Sequence, residues 1–182
     1  STALCTQQSL RIAVIPKKSM DALLDEQKPL IERLSSATGI PVEIVPSSSY
    51  ESVIDAIVSG GVDIAWLGPA SYILAYRRDP RIEPFASLTI KHGFFTPAGH
   101  HYQALLLARP EVATDINGLR GKPVVLTDPA STSGSLVPNT EFSRVTGLPL
   151  AQFFGSIAYS GSHDRSLDAL INHKVDAAFV SS

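Results

Sequence analysis

Apolar and polar positions along this chain alternate between two periods. Residues 10–15, Leu-Arg-Ile-Ala-Val-Ile, form a short, mostly apolar run with the length of a buried strand. From 21 to 37, Leu23, Leu24, Leu30, Ile31 and Leu34 recur at helical spacing, with Pro29 inside as a kink or a restart and Gly39 as the stop. Residues 42–45 then read as a strand, 50–58 as a short helix and 62–67 as a strand. Further along, 123–126 is another buried strand, and Pro138 opens a helical pattern through Phe142 and Val145. Strands alternating with helices predict an α/β fold of mostly parallel sheets covered on both faces.

The pattern repeats itself. Leu10-Arg11-Ile12-Ala13-Val14-Ile15-Pro16 lines up with Pro123-Val124-Val125-Leu126-Thr127-Asp128-Pro129, an offset of 113 residues. At the same offset Ile54-Asp55-Ala56-Ile57 meets Leu167-Asp168-Ala169-Leu170. Val62-Asp63-Ile64-Ala65-Trp66-Leu67 likewise meets Val175-Asp176-Ala177-Ala178-Phe179-Val180. Thr38-Gly39-Ile40-Pro41 echoes Thr146-Gly147-Leu148-Pro149 at a slightly shorter offset. Four matches in one order predict two similar lobes, 1–100 and 101–182, joined near 90–109 with 102–108 as a crossing strand. The repeat also pairs Tyr50, opening one short helix, with His163, opening another. Ligands of open α/β sheets bind beyond the carboxyl ends of strands, at helix starts. Both residues are therefore expected to face one cleft from opposite lobes. The alternatives are a surface aromatic at a helix start and a helix-cap histidine.

The chemistry concentrates in Thr127-Asp128-Pro129-Ala130-Ser131-Thr132-Ser133-Gly134-Ser135. A strand that ends in a Ser/Thr/Gly loop ahead of a helix offers free backbone N–H groups, hydroxyls and a positive helix end. That combination suits a small oxyanion. An ordinary hydroxyl-capped helix has the same sequence.

Composition narrows the field. The chain has 182 residues, 44% of them hydrophobic, enough for a core in one domain or two small ones. A formal net charge of −2 without a basic block argues against nucleic acid and anionic membrane as partners. No apolar run approaches the ~20 residues that span a bilayer. No signal peptide is read, so the chain is expected to be cytosolic, mature or cut from something longer. Cys5 is the single cysteine, which excludes an internal disulfide and a multi-cysteine metal site. Thr2-Ala3-Leu4-Cys5 is similar to a lipoprotein cleavage box, except that Leu4 stands where such boxes carry a small residue. His92, His100 and His101 share a loop-like stretch and are expected to be surface histidines, since a metal site needs more ligands in defined geometry. Asp55, Asp63, Asp168 and Asp176 recur by the repeat as helix-face and strand-start residues, and Arg77-Arg78 reads as a solvated helix end. No cofactor and no metal are expected.

Val62-Asp63-Ile64-Ala65-Trp66-Leu67-Gly68-Pro69-Ala70-Ser71-Tyr72, Asp128-Pro129-Ala130-Ser131-Thr132-Ser133-Gly134, Gly161-Ser162-His163-Asp164 and Lys174-Val175-Asp176-Ala177 together resemble one family. It is the phosphonate, phosphite and phosphate binding proteins of bacterial ABC transporters, and the resemblance runs from about Leu10 to the end. It implies two-lobed receptors of the type II periplasmic-binding fold, periplasmic or lipid-anchored. It implies a small oxyanion as ligand and a permease in the inner membrane as partner. By the same resemblance the oxyanion contacts are Ser131, Thr132, Ser133 and His163, and the two cleft tyrosines are Tyr50 and Tyr102. Hydroxyls and N–H groups bind such an anion without burying a lysine or arginine, each charge-assisted bond contributing about 1.5–3 kcal/mol.

In the family, acidic residues that hold a ligand's amino group lie just beyond Ser182, as do a second crossing segment and the rest of the first lobe. The chain is thus expected to be a truncated receptor or a shorter relative. The short form is expected to self-associate through uncovered apolar surface or to bind weakly. Two other readings stand beside transport. One is a sensory module that signals to a kinase. The other is an enzyme acting on a phosphorylated metabolite, for which Ser133 and His163 would be nucleophile and base. The sequence shows no Gly-x-Ser-x-Gly elbow and no Walker motif.

Overall fold

The computed structural model describes residues 9–17, 19–86, 98–99 and 102–182. Cys5, His92, His100 and His101, with the expectations attached to them, lie outside these residues, as does much of the joining segment.

The first half contains β1 (Leu10–Val14), α1 (Met20–Thr38), β2 (Val42–Val45), α2 (Tyr50–Ser59), β3 (Ile64–Trp66) and α3 (Pro69–Arg78). Ser19 caps α1 by accepting from the Ala22 N–H, and Gly39 ends it in the left-handed region at φ 67°. The helix continues through Pro29 as one element, so the restart read from the sequence does not occur. The strands form a parallel sheet in the order β2-β1-β3. One of its cores gathers Ala13, Ile15, Val53, Ile54, Val62 and Ala75.

The second half contains β4 (Ala104–Ala108), β5 (Pro123–Leu126), α4 (Val137–Thr146), α5 (Leu150–Phe153), β6 (Ser156–Tyr159), α6 (His163–Ile171) and β7 (Ala177–Ser181). Its sheet runs β4-β7-β5-β6, parallel except for β4, which lies antiparallel on β7. The sequence repeat is visible in the topology. β1 sits between β2 and β3, and β5 sits between β6 and β7 in the same arrangement. Side chains of a strand alternate faces, and both faces here are apolar. Val124, Leu126, Ala177 and Phe179 meet Phe142, Phe153 and Phe154 on one side. Val125, Ala178 and Val180 meet Leu170 and Val175 on the other. The Phe142 ring centroid lies 5.1 Å from that of Phe153 and 5.4 Å from that of Phe154. Such pairs add about 0.5–1.5 kcal/mol each beyond the area they bury.

Three of the four repeated aspartates make structural bonds, and the fourth, Asp168, lines a cleft. Asp63 Oδ2 accepts from the Arg11 N–H at 2.8 Å, and Asp176 Oδ1 accepts from Arg109 at 2.9 Å. Asp55 pairs with Arg78, so that helix end is not purely solvated. Arg109 also donates to the carbonyls of Leu170 at 2.6 Å and Val175 at 2.8 Å. It thereby ties the end of β4 to the C-terminus of α6, where carbonyls lack partners and the helix dipole favours a cation. Arg109→Met keeps the apolar stem but leaves the Val175 carbonyl and Asp176 without this donor, while the Leu170 carbonyl keeps only its weaker amide contacts at the helix end. Urea unfolding of this variant is expected to show a loss of about 1–3 kcal/mol.

No described helix is long and apolar enough to cross a membrane. On the first-half side, α3 and the segment after it expose Ile73, Leu74, Tyr76 and Phe85.

Candidate functional site

The Ser/Thr loop is already helical. Residues Thr132–Leu136 form a single π turn that runs directly into α4, so the helix begins one turn earlier than Pro138 suggests. Ser131 is its cap, and Ser131 Oγ accepts from the Gly134 N–H at 3.1 Å. The wide turn closes by Leu136 N–H to Ser131 O at 3.0 Å. The hydroxyls of Thr132 and Ser133 therefore lie in the first turn, where N–H groups have no intrahelical acceptor and the helix end is positive. π turns of this kind recur at functional sites.

The turn is packed against β5 at close range. Thr127 N–H donates to the Gly134 carbonyl at 3.0 Å. A methyl group on Gly134 would come within 2.1 Å of Thr127 Oγ1. Glycine is the only residue that permits this approach.

Two bonds join this turn to the first half. Ser71 Oγ donates to the Ala130 carbonyl at 2.9 Å, and Ala130 itself packs into the first-half core. Thr132 Oγ1 accepts from the Ala70 N–H at 3.0 Å. The N-cap of α3 is Gly68, which has no side chain to satisfy the first amides. Thr132 supplies that cap from the other half. Its oxygen is occupied as an acceptor, which leaves its proton to donate.

Tyr50 opens α2 behind the Ser49 cap and is 2% exposed. Its hydroxyl is buried and has no hydrogen-bond partner among the described residues. Burial pushes its pKa up to about 12. The Ser131 hydroxyl, close enough to act on it electrostatically as a hydrogen-bonding neighbour yet outside hydrogen-bond geometry, works in the opposite direction, and Asp128 and Tyr102 add to the rise. Tyr50 is thus a neutral donor beside Ser131. Tyr102 approaches from the other side. A Cβ placed on Gly68 would meet Thr132 Oγ1 at 3.5 Å and Tyr102 Oη at 3.7 Å. The fold therefore gathers Tyr50, Tyr102, Ser131 and Thr132 around one turn, and Ser133 lies buried within it.

His163 opens α6 behind the Ser162 cap. Its Nδ1 accepts from the Ser181 N–H at 3.1 Å and lies 3.4 Å from Thr127 Oγ1. Burial, with the Lys17 ammonium second, lowers its pKa to about 4. Through Thr127 it is tied to the residue that packs on Gly134. Beside His163 a cleft of about 290 Å³ has Pro16, Ser19 and Ser48 on one wall, with Gly161, Ser162, Asp164, Arg165 and Asp168 on the other. The sequence reading missed Thr127, Ser181 and the start of α3. Thr127 stands at a strand end, at the head of the Ser/Thr/Gly stretch, but the other two are brought in only by tertiary packing. Among the described residues no group of three His, Cys, Asp or Glu side chains is placed to hold a metal.

Comparison with known proteins adds a family. Residues 12–182 match the model described as "ABC transporter, phosphonate, periplasmic substrate-binding protein". The chain is 32% identical over 181 residues to the phosphate-import protein PhnD of Mycolicibacterium smegmatis, covering 95% of this chain and 55% of that protein. It is 25% identical over 176 residues to the phosphonates-binding periplasmic protein of Escherichia coli, covering 94% of this chain and 50% of the relative. The chain thus spans about half the length of these curated relatives. Among solved structures, PhnD1 of Prochlorococcus marinus in complex with methylphosphonate superposes with a TM-score of 0.76 at 20% identity, over 95% of this chain and 63% of that one. A binding protein component of an ABC phosphonate transporter from Pseudomonas aeruginosa gives 0.74 at 22% identity, over 97% and 58%. The expected type II periplasmic-binding fold is thereby borne out.

Proposed function

The chain belongs to the periplasmic substrate-binding proteins of phosphonate ABC transporters, and on that premise we propose that it binds a small phosphorus oxyanion at the Ser131–Thr132–Ser133 turn. The observation that carries this reading is the buried, unpartnered hydroxyl of Tyr50 beside that turn. An orphaned buried donor costs about 1–3 kcal/mol, and a ligand acceptor removes that cost. The contacts are Tyr50, Tyr102, Ser131, Thr132, Ser133 and His163, all of them neutral donors. A phosphonate, phosphite or phosphate oxygen supplies the acceptors they lack, and its charge is stabilised by the first turn of the helix.

The reading is of binding without turnover, in the periplasm or at the outer face of the membrane, with delivery to an inner-membrane permease. The names of the two relatives, one for phosphate import and one for phosphonates, support the ligand class and leave the choice within it to experiment. Calorimetric titration against methylphosphonate, aminoethylphosphonate, phosphite, phosphate and sulfate tests it. Saturable binding of at least one phosphorus anion is expected, and no binding of any of them overturns the reading.

Thr132→Ala removes one donor and also the cap on the Ala70 amide. Affinity for the preferred anion is expected to fall by about 1–3 kcal/mol. Thr132→Ser retains both roles and is expected to recover most of it. Unchanged affinity in the alanine variant removes the turn from the site.

A further inference from the structure

The two ring nitrogens of His163 are not equivalent. Nδ1 is buried against β7 and β5, where the Ser181 main-chain N–H donates to it at 3.1 Å. An N–H can only donate, so Nδ1 is an acceptor, and the proton of the neutral ring resides on Nε2. The Thr127 hydroxyl lies 3.4 Å from the same nitrogen and 3.4 Å from the Phe179 carbonyl. With Nδ1 an acceptor, the Thr127 proton is shared between it and the Phe179 carbonyl, and the share given to Nδ1 reinforces its acceptor state. The Thr127 side chain is fully buried, held by β5 on one side and by the missing Cβ of Gly134 on the other. The histidine is therefore clamped between a fixed amide and a hydroxyl that cannot move away.

We propose that Thr127 and the Ser181 amide are positioning groups that lock His163 as a neutral Nε2–H donor, so that the oxyanion meets a fixed dipole and not a titrating cation. This rests on the reading of the turn as an oxyanion site and adds the charge state in which His163 serves it. Protonating the ring places a second proton on Nδ1, directly opposite the Ser181 N–H, and that bond must break. The charged group that bears on the ring from the first half is Lys17, a cation, which opposes the same protonation. On its own helix Asp164 and Arg165 flank it with opposite signs and are exposed. β5 and β7 bring only the Thr127 hydroxyl and the Ser181 amide to it. Burial of the ring works in the same direction as Lys17.

The test is nitrogen NMR of the whole chain labelled with ¹⁵N-histidine, with the His163 signals assigned by their loss in His163→Gln. The expected spectrum shows protonated Nε2 and unprotonated Nδ1, unchanged from pH 8 to pH 5.5. A His163 that titrates near 6.5, or one protonated at Nδ1, overturns the inference. Thr127→Val keeps the shape of the side chain and removes the hydroxyl, while Thr127→Ser restores the hydroxyl. In the valine variant the nitrogen pattern is expected to become mixed and methylphosphonate affinity to drop roughly 3- to 10-fold, the scale of one modest hydrogen bond. Serine is expected to recover both. An unaltered nitrogen pattern in Thr127→Val takes Thr127 out of the clamp. The spectrum is read without ligand, so the two hypotheses fail separately. Phosphonate binding with a titrating His163 sinks this inference, whereas a locked His163 with no anion binding sinks the ligand reading.

Discussion

Gly134→Ala is expected to lower stability by about 3 kcal/mol, the upper end of what overpacking a tight contact costs, and to weaken methylphosphonate binding at least about tenfold. The added methyl meets Thr127 Oγ1 at 2.1 Å, Thr127 Cβ at 2.3 Å and Ser131 Oγ at 2.9 Å. None of these is the loose end of a flexible chain. Thr127 is fixed at the end of β5 beside His163, and Ser131 is fixed by its cap to the Gly134 amide. The turn must therefore lift off the strand, which separates the hydroxyls of Ser131 and Thr132 from the Tyr50 hydroxyl they accompany. Gly147→Ala is the control. Gly147 ends the helix that this turn opens, at φ 79°, and no atom lies within 4 Å of an added methyl. It is expected to cost only about 1 kcal/mol, the penalty of the left-handed conformation, and to leave binding unchanged. Urea unfolding and calorimetric titration of both variants decide the matter. A Gly134→Ala protein as stable as Gly147→Ala would show that Thr127 yields, and that the close approach is not what shapes the site.

Much of this arrangement is legible in the order of the residues alone. The repeat at an offset of 113 residues sets β1 and β5 as the centres of two sheets, because each is the apolar run that neighbours must cover. Helix starts are legible wherever a local signal marks them, as Ser19, Ser49 and Ser162 do at α1, α2 and α6. The π turn is not, since its extra residue per turn is set by how Gly134 packs on Thr127 and not by local propensity. The antiparallel placement of β4 on β7 escapes the pattern for a similar reason: a run of Ala and Leu states burial and not direction. In the site, Tyr50 and His163 are found through the repeat, and Ser131, Thr132 and Ser133 through their own chemistry. Tyr102 enters only by family resemblance. Thr127 is legible as the head of the Ser/Thr/Gly stretch but not in its role beside His163, and Ser181 and the start of α3 join the site only when elements far apart in sequence are laid side by side.

Tyr50→Phe separates what the site costs the fold from what it gives the ligand. The hydroxyl is buried at a residue only 2% exposed and finds no partner among the described residues. Ser131, whose hydroxyl stands close enough to oppose the rise in its pKa, does not reach hydrogen-bond geometry with it. A donor in that position is destabilising to the free protein, and replacing it by hydrogen removes the penalty while keeping the ring in its core with Val53 and Ile54. The free variant is expected to be as stable as the parent or more stable by about 1 kcal/mol in urea unfolding. Its affinity for methylphosphonate is expected to fall about tenfold, because the ligand oxygen loses a donor that is neutral across the physiological range, its pKa lying near 12. Both signs are required. A marked loss of stability would mean that the hydroxyl has a partner in the fold, and binding as tight as the parent's would mean that it does not face the anion. Opposite changes in the two measurements are what a donor held unsatisfied for its ligand produces, and neither an ordinary core tyrosine nor an exposed one at a helix start gives that pair.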